Sequence, residues 1–194
     1  MISNKPQTQV VNQEINKILA TDHLKWSPAK KNILVEYSDF QCPACKNFQS
    51  ILKPFEASGS SNFDITQKVT FVYRHYPLVA IHKNAQAAAY AAEAAGKQDK
   101  FWQMHDLLFE TQDTWAEMAN ADSHFRELAS RLKLNIDKFV NDLASLEVKK
   151  KVQEDILSGD QAGVSSTPTF FLNGKKLDNL RSYEEFVSLL KSQQ

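Results

Sequence analysis

The stretch VEYSDFQCPACKNF (residues 35–48) contains both cysteines of the chain, Cys42 and Cys45, separated by two residues. Residues 32–40 are rich in β-branched and aromatic side chains, which favours a buried strand. From Cys42 onward, large apolar residues recur three and four positions apart, which favours a helix. Pro43 suits the first helical position, because the N–H that proline lacks would have no partner there. The sequence therefore predicts a Cys-x-x-Cys pair in the turn between a strand and a helix.

The spacing of the two cysteines points to thiol–disulfide exchange. In the first turn of a helix, residues three apart share one face, so Cys42 and Cys45 can close a small disulfide. Cys42 meets the unpaired N–H groups and the positive end of the helix dipole, which stabilise a thiolate, so we expect it to be the nucleophile. Cys45, one turn deeper, would resolve the mixed disulfide formed between Cys42 and another protein. We expect no cofactor, because the Cys42–Cys45 disulfide itself carries two electrons.

Two other uses of the cysteine pair remain open from the residues alone. Zinc sites with this spacing usually contain two such pairs, and the chain has only two cysteines. Zinc would therefore need His75 and His82, or a second chain, and we expect no metal. A purely structural disulfide would close a loop too short to stabilise the fold much through chain entropy.

Composition limits the other function classes. The chain has 194 residues, of which 42% are hydrophobic, enough for one domain or for one domain with an insertion. Lys and Arg total 23 and Asp and Glu total 23, so no basic excess suggests nucleic acid as a partner. We expect a soluble chain, since residues 1–14 lack the apolar region of a signal peptide and no run approaches the ~20 apolar residues of a membrane span. An exported protein written without its signal would look the same, so the compartment stays open.

The rest of the chain alternates strand and helix patterns. Residues 1–20 read as a loose tail leading into a short helix, and TPTFFLNGKKL (residues 167–177) reads as a hairpin turning at Asn173-Gly174. We also predict a second strand at 68–78 and helices at 82–97, 99–110, 122–133 and 136–144, another ending near Gly159, and a last one at 183–191. The order is strand, helix, strand, several helices, hairpin and helix.

Three separated stretches together resemble the DsbA-like thiol:disulfide oxidoreductases over roughly residues 22–192: VEYSDFQCPACKNF, the helical stretch after VYRHYPL, and GVSSTPTFFLNGK. The resemblance implies an α/β thioredoxin-like fold with a central mixed β-sheet and an inserted all-helical subdomain. The implied organisation is a tail and short helix at 1–21, a thioredoxin-like domain at 22–80 and 147–194, and a helical insertion at 81–146.

The same resemblance assigns site residues. It implies a cis peptide bond at Thr167-Pro168, which would face the cysteines and expose the Thr167 backbone to an extended substrate. It also places Glu36 as a buried acid beneath Cys45, where it would carry the proton that Cys45 must lose. The alternative is that Glu36 faces water on an exposed strand. Between the cysteines, Pro43-Ala44 departs from the proline–histidine pair of the best-known members, and we expect a less extreme oxidant because Ala44 cannot stabilise the thiolate.

The resemblance implies a dithiol oxidase that donates its disulfide to exported proteins through a mixed disulfide. Members of the family are mostly extracytoplasmic bacterial proteins, so we expect the periplasm or the cell-envelope exterior. Expected partners are cysteine-containing protein substrates and a membrane-bound redox partner that regenerates the active form, and we expect a monomer. The alternatives are a reductase or isomerase of the same fold, and a non-catalytic peptide- or metal-binding thioredoxin-like module.

Overall fold

A computed structural model describes residues 13–29, 31–58, 65–177, 184–185 and 188–189. The strands are β1 (His23–Trp26), β2 (Asn32–Ser38), β3 (Val69–His75), β4 (Thr169–Leu172) and β5 (Lys175–Leu177). The helices are α1 (Pro43–Ser58), α2 (Ile65–Lys68), α3 (Ala85–Gly96), α4 (Phe101–Glu110), α5 (Gln112–Trp115), α6 (Asp122–Arg131), α7 (Ile136–Ala144) and α8 (Leu146–Gln161).

The strands form one mixed sheet in the order β1-β3-β2-β4-β5. β2 and β3 run parallel, and the other neighbouring strands are antiparallel. β2 is therefore the central strand, and its last five residues are all buried, as its β-branched and aromatic composition predicts. Because α1 follows β2 after a short turn, the N-terminus of α1 lies at the carboxyl end of the central strand.

The two faces of the sheet bury different sets of side chains, because successive residues of a strand point to opposite faces. Leu34 packs in one core with apolar residues of α1, α3 and α4. Val35 and Tyr37 pack in a second, smaller core with residues of β3 and β4. α8 lies close to this second face: a Cβ atom added to Gly159 would stand 2.7 Å from the ring of Tyr76.

Helices α3 to α7 fill the connection between β3 and α8. α3 is built largely from alanine, and it packs against α4, α7 and α8. Alanine favours the helix and its small side chain lets neighbouring helices approach closely. The mixed sheet with this inserted group of helices confirms the predicted thioredoxin-like fold class.

The structure differs from the sequence prediction in a few elements. Residues 13–16 form turns and residues 17–19 are irregular, so the short helix expected there is wrong for the described part of the tail. The strand β1 and the one-turn helices α2 and α5 were not predicted, because four residues are too few to show a periodicity. Of the last predicted helix, residues 184–185 and 188–189 are helical and the others lie outside the described residues. The predicted domain limits stay predictions.

Candidate active site

Cys42 occupies the N-cap position of α1. Its carbonyl oxygen accepts the first helical hydrogen bond, from Lys46 N at 3.2 Å, and its own N–H donates to the Asp39 carbonyl at 3.0 Å. Pro43 opens the helix, and the Ala44 side chain is exposed. The Cys42 sulfur therefore lies where the free N–H groups of the first helical turn converge.

Thr167-Pro168 lies against Cys42, on the turn that leads into β4. The Cys42 Sγ donates a hydrogen bond to the Thr167 carbonyl oxygen at 3.3 Å, and the Thr167-Pro168 peptide bond is cis. In the dithiol form, the Thr167 hydroxyl oxygen is buried and has no hydrogen-bond partner among the described residues. That hydroxyl is therefore free to donate to a Cys42 thiolate.

The surroundings of Cys42 lower its pKa to about 5. The largest cause is hydrogen bonding from the Cys45 thiol, which stabilises the thiolate. Burial acts in the opposite direction, and the Thr167 hydroxyl and the backbone N–H groups of Cys45 and Ala44 add further stabilisation. At neutral pH Cys42 is thus a thiolate, and thiolates are the reactive form in exchange.

The surroundings of Cys45 raise its pKa, whereas those of Cys42 lower it. Burial raises its pKa well above the usual range, and the negative charges of Glu36 and of a Cys42 thiolate raise it further. Cys45 is 0% exposed whereas Cys42 is 6% exposed, so an incoming sulfur can reach only Cys42. The pair therefore combines an accessible thiolate with a sealed, protonated thiol.

Glu36 lies on the central strand beneath the cysteines, paired in register with Tyr73 on β3 and Phe170 on β4. It is 0% exposed, so it does not face water. One carboxylate oxygen accepts a hydrogen bond from Gln49 Nε2 at 3.0 Å, and the other is buried with no partner in the described part of the chain. Burial raises the pKa of Glu36 to about 8, and the charge of Cys42 adds to the effect. The group is protonated at neutral pH and lies close enough to affect the Cys45 pKa.

Several side chains that the sequence did not single out hold the turn before Cys42. The Asp39 carboxylate accepts the Gln41 N–H at 2.7 Å, and Gln41 Nε2 donates to the Ala116 carbonyl in the insertion. Gln112 Nε2 donates to the carbonyl oxygens of Phe40 at 2.7 Å and Cys42 at 3.1 Å. Asp39 could have been suspected from its place in the strand-to-helix turn, but nothing local marks Gln112.

The two histidines considered for zinc each contact a carboxylate. His75 Nε2 lies 2.8 Å from Glu93, and His82 Nδ1 lies 2.7 Å from Asp39. Among the residues that the structure describes, no cluster of three or more histidine, cysteine, aspartate or glutamate side chains is arranged to hold a metal ion. In the same residues, no helix combines the length and apolar content of a membrane span.

Solved structures with the same fold are numerous. Wolbachia pipientis alpha-DsbA1 superposes with a TM-score of 0.78 at 21% identity, covering 93% of this chain and 94% of that one. Oxidised BdbD from Bacillus subtilis gives 0.76 at 23% identity over 89% and 92% of the two chains. MdbA from Corynebacterium diphtheriae, a thiol-disulfide oxidoreductase, gives 0.67 at 20% identity over 90% of each chain.

Curated relatives match most of this chain in sequence, but the match covers only a small part of their own length. The Na(+)/H(+) antiporter NhaA 3 of Salinispora tropica is 38% identical over 155 residues, which is 80% of this chain and 22% of that protein. The chain thus spans about a fifth of the length of the curated relatives it matches. A family model described as thioredoxin matches residues 20–192. The chain therefore belongs to the thioredoxin family, it shares its fold with the DsbA-type structures, and its Cys-x-x-Cys pair lies at the start of α1.

Proposed function

We propose that the protein is a thiol:disulfide oxidoreductase that acts as a dithiol oxidase, passing the Cys42–Cys45 disulfide to other proteins. The observation that carries this proposal is the position of Cys42 at the N-terminus of α1 and beside the Thr167 carbonyl oxygen, where its surroundings lower its pKa to about 5. A stabilised thiolate stabilises the reduced pair, and a stable reduced form makes the disulfide a stronger oxidant. A pKa of about 5 lies between the ~3.5 of the strong oxidant DsbA and the ~7 of the reductant thioredoxin.

The exchange starts from the oxidised pair. A substrate thiolate attacks Cys42 Sγ, the Cys42–Cys45 bond breaks, and Cys45 leaves as a thiolate in a mixed disulfide between Cys42 and the substrate. Glu36, protonated at neutral pH, supplies the proton that Cys45 takes up. A second substrate thiolate then attacks the substrate sulfur and releases Cys42 as a thiolate. The substrate loses two electrons to form its disulfide, and the cysteine pair gains them.

The turn at Thr167-Pro168 supports a docking mode for the substrate chain. The Thr167 carbonyl lies 3.3 Å from the Cys42 sulfur, so a substrate cysteine at Cys42 would bring its own backbone beside this residue. Pairing of extended backbone with such a turn adds main-chain hydrogen bonds without selecting a sequence. This suits an enzyme that acts on many cysteine-containing proteins.

We also propose a cellular location for the protein and a redox partner that regenerates its disulfide. Oxidation of protein thiols is useful where disulfides persist, which favours an extracytoplasmic site such as the periplasm or the cell-envelope exterior. Each turnover leaves the pair reduced, so a second redox partner, which we place in the membrane, must take up the two electrons. Ion antiport is not part of this proposal, because the antiporter relatives are named for proteins of which this chain matches about a fifth.

The reduction potential of the Cys42–Cys45 couple tests the direction of transfer. The protein is equilibrated in glutathione buffers and the redox state is read by mass after thiol alkylation. A value around −120 to −180 mV is expected for an oxidant. A value near −270 mV would contradict the proposal and favour the reductase or isomerase alternative.

A variant without the resolving cysteine tests whether the protein exchanges disulfides with other proteins. Cys45→Ser should trap mixed disulfides through Cys42 when mixed with proteins that carry scrambled disulfides, because Cys45 can no longer attack the mixed disulfide and release the bound protein. The double variant Cys42→Ser, Cys45→Ser is the matched control and should trap none. A non-catalytic peptide-binding module would bind the same proteins without any covalent product.

A further inference from the structure

Cys45 and Glu36 are both 0% exposed, so neither exchanges a proton with water directly. Each cycle of the cysteine pair nevertheless requires Cys45 to lose a proton when it attacks and to regain one after it leaves. Burial raises the pKa of Glu36 to about 8, so at neutral pH this group must release its own proton before it can accept the one from Cys45. The fold therefore needs a route for protons between Glu36 and the surface.

Four polar side chains form a buried block on the face of the sheet that carries Glu36. The parallel strands β2 and β3 pair Glu36 with Tyr73 and Ser38 with His75, and residues two apart on a strand share a face. All four residues are at most 1% exposed. Each has a polar atom without a hydrogen-bond partner among the described residues: Glu36 Oε1, Ser38 Oγ, Tyr73 OH and His75 Nδ1. Buried polar atoms are rarely left unpaired, so four on adjoining residues favour a catalytic use of this block.

Ser38 adjoins both the reacting groups and His75. Burial raises the pKa values of Glu36 and Cys45, and the Ser38 hydroxyl lowers both, so this hydroxyl lies within reach of each group. His75 is its partner in register on β3. Because a hydroxyl can accept one proton while it donates another, Ser38 can pass a proton between Glu36 and His75.

His75 connects the buried block with a carboxylate near the surface. Its Nε2 atom lies 2.8 Å from Glu93 Oε1 on α3. Burial alone would raise the pKa of Glu93, but hydrogen bonds from His23 and His75 hold it well below the usual range, so Glu93 is ionised at neutral pH. The His75 Nε2–H therefore donates to Glu93, which leaves the unpartnered Nδ1 as a proton acceptor.

Glu93 and His23 line a surface cavity of about 410 Å³. The Glu93 side chain is 9% exposed and that of His23 is 20% exposed, so both reach water there. His23 Nε2 lies 2.8 Å from the same Glu93 oxygen, and its ring stacks on Phe101, so the carboxylate is held in place. Residues 20–23, α3 and α8 form this cavity, whereas α1 and the turn before β4 surround Cys42. A protein bound at Cys42 therefore leaves the cavity open to water.

We propose that Ser38, His75 and Glu93 form a proton relay that ends in water at this cavity. The relay begins at Glu36, which exchanges protons with it through the Ser38 hydroxyl. His23 acts as a positioning residue, because it holds the Glu93 carboxylate and passes no proton itself. The inference rests on the proposed function and deepens it by assigning the route of the exchanged proton.

The steps balance when a disulfide re-oxidises the pair. Glu36 passes its proton through Ser38 to His75 Nδ1. His75 releases its Nε2 proton to Glu93, which loses it to water. Cys45 then gives its proton to the Glu36 carboxylate and attacks the mixed disulfide, which forms the internal disulfide and expels the partner sulfur as a thiolate. The reverse sequence brings a proton in when Cys45 leaves during oxidation of a substrate.

A second histidine provides the matched control. His105 Nδ1 lies 2.8 Å from Asp106, which lines a groove between α1 and α4, and the His105 ring lies 5.1 Å from that of Tyr73. His105 belongs to α4 and is not the register partner of Ser38, so the strand pairing favours the route through His75. Asp106→Asn removes a carboxylate that contacts a buried histidine, as Glu93→Gln does, but outside the proposed relay.

The test mixes the reduced full-length protein with excess oxidised glutathione, stops the reaction with acid and reads the products by mass. The first step, attack of Cys42 on glutathione, should proceed equally in wild type and Glu93→Gln, because it needs no relay. The second step, attack of Cys45 on the mixed disulfide, should slow by about tenfold or more in Glu93→Gln, since positioned proton transfer contributes about 10²–10⁴-fold. Heavy water should slow this step more in the variant than in wild type.

His75→Gln breaks the relay at a second point. It removes the ionisable ring and keeps an N–H donor for Glu93, so it should also slow the second step alone and increase the effect of heavy water. Asp106→Asn should keep wild-type rates for both steps. Urea unfolding of each variant measures any loss of stability separately.

The outcomes distinguish the relay from the proposed function. An unchanged second step in Glu93→Gln and His75→Gln, equal slowing of both steps, or slowing in Asp106→Asn alone would overturn the relay and leave the proposed function standing. Failure of the wild-type protein to form any mixed disulfide with glutathione would instead overturn the proposed function, and the inference with it.

Discussion

Cys42 and Cys45 are the same residue type three positions apart, yet their surroundings move their pKa values in opposite directions. Cys42 receives hydrogen bonds from the Cys45 thiol and from backbone N–H groups, which lower its pKa to about 5. Cys45 is sealed beneath it, and burial raises its pKa. The division of labour between nucleophile and resolving thiol therefore follows from depth in the first turn of one helix.

The Thr167 hydroxyl provides a test of thiolate stabilisation at the residue scale. Thr167→Val keeps the size of the side chain but removes the donor, so the pKa of Cys42 should rise by about one pH unit. The pH dependence of Cys42 alkylation by iodoacetamide, measured on the reduced protein, checks this. The control Thr70→Val removes another buried hydroxyl, which donates to Ser27 O at 2.6 Å, and should leave the profile unchanged. An unshifted profile for Thr167→Val would show that the hydroxyl does not stabilise the thiolate.

The buried Glu36 side chain should lower the free energy of unfolding as the pH rises. Its pKa is about 8 in the folded protein against an ordinary 4.5, so the folded state holds a proton that the unfolded chain releases. Stability is lost over the window from 4.5 to 8, by about 1.4 kcal/mol for each pH unit. Glu36→Gln should therefore be more stable than wild type at pH 7.5 and nearly equal to it at pH 4.5, measured by urea unfolding of the reduced proteins. A variant less stable at pH 7.5 would contradict this reading.

The same substitution should slow chemistry at Cys45. Without an ionisable group at position 36, formation of the mixed disulfide, in which Cys45 leaves and takes up a proton, should slow and lose its dependence on an ionisation near pH 8. Stopped-flow measurement of that step across pH checks the prediction. Glu154→Gln, on an exposed part of α8, is the control, and a wild-type pH profile in Glu36→Gln would rule out a proton relay through this residue.

At the scale of elements, the turn between β2 and α1 is held largely by the helical insertion. Gln112 on α5 donates to the carbonyl oxygens of Phe40 and Cys42, and Gln41 reaches back to Ala116. Asn84, just before α3, donates its backbone N–H to Gln41 Oε1 at 2.7 Å. The insertion thus completes the hydrogen bonding of the active-site turn, because the turn has too few partners within the sheet to satisfy its own carbonyl groups.

Removal of the Gln112 amide tests this support. Gln112→Leu leaves two buried carbonyl oxygens without that donor, so unfolding should cost about 1–3 kcal/mol less free energy. Urea unfolding at neutral pH measures the change. Gln103→Leu, on the exposed face of α4, is the matched control and should change stability by less than about 0.5 kcal/mol. Equal effects of the two substitutions would mean that the contacts to Phe40 and Cys42 contribute little.

At the scale of the whole molecule, the redox state of the Cys42–Cys45 pair should change the free energy of unfolding. The folded dithiol form holds the pKa of Cys42 at about 5, below the ordinary 9, so ionisation stabilises the folded reduced protein as pH rises above 5. This contribution is about 1.4 kcal/mol for each pH unit between those values, and it is lost as pH falls through 5. The oxidised pair has no thiolate and gains only the small entropy of a short loop.

Reduction should therefore stabilise the protein at pH 7. Urea unfolding of the oxidised and reduced forms should show the reduced form to be more stable by a few kcal/mol at pH 7, with the difference shrinking towards pH 5. The Cys42→Ser, Cys45→Ser protein controls for effects of the reductant and should not respond to it. Greater stability of the oxidised form at pH 7 would contradict both the low pKa of Cys42 and the proposed direction of electron transfer.

The sequence by itself determined the strand, the helix and the reactive pair between them. β2 and α1 follow from local residue types and from the spacing of apolar side chains, and Asn173-Gly174 makes the tight hairpin that its residue types predict, with both residues at positive φ. The thioredoxin-like fold was predictable because three separated motifs occur in the family's order. The cis bond at Thr167-Pro168 followed from that resemblance, since X–Pro bonds are cis in only ~5% of cases.

Only the tertiary structure decided which distant residues surround the cysteines. Glu36 is buried because helices cover its face of the central strand, and Gln112 reaches the active-site turn because the insertion folds back over it. His82 contacts Asp39 across 43 positions of sequence because the carboxyl ends of the parallel strands β2 and β3 lie side by side. These contacts depend on how elements pack, and packing joins residues whose local sequence carries no sign of the partner. The type of chemistry therefore follows from one short stretch of sequence, whereas the pKa values and the long-range contacts around the cysteines exist only once the chain has folded.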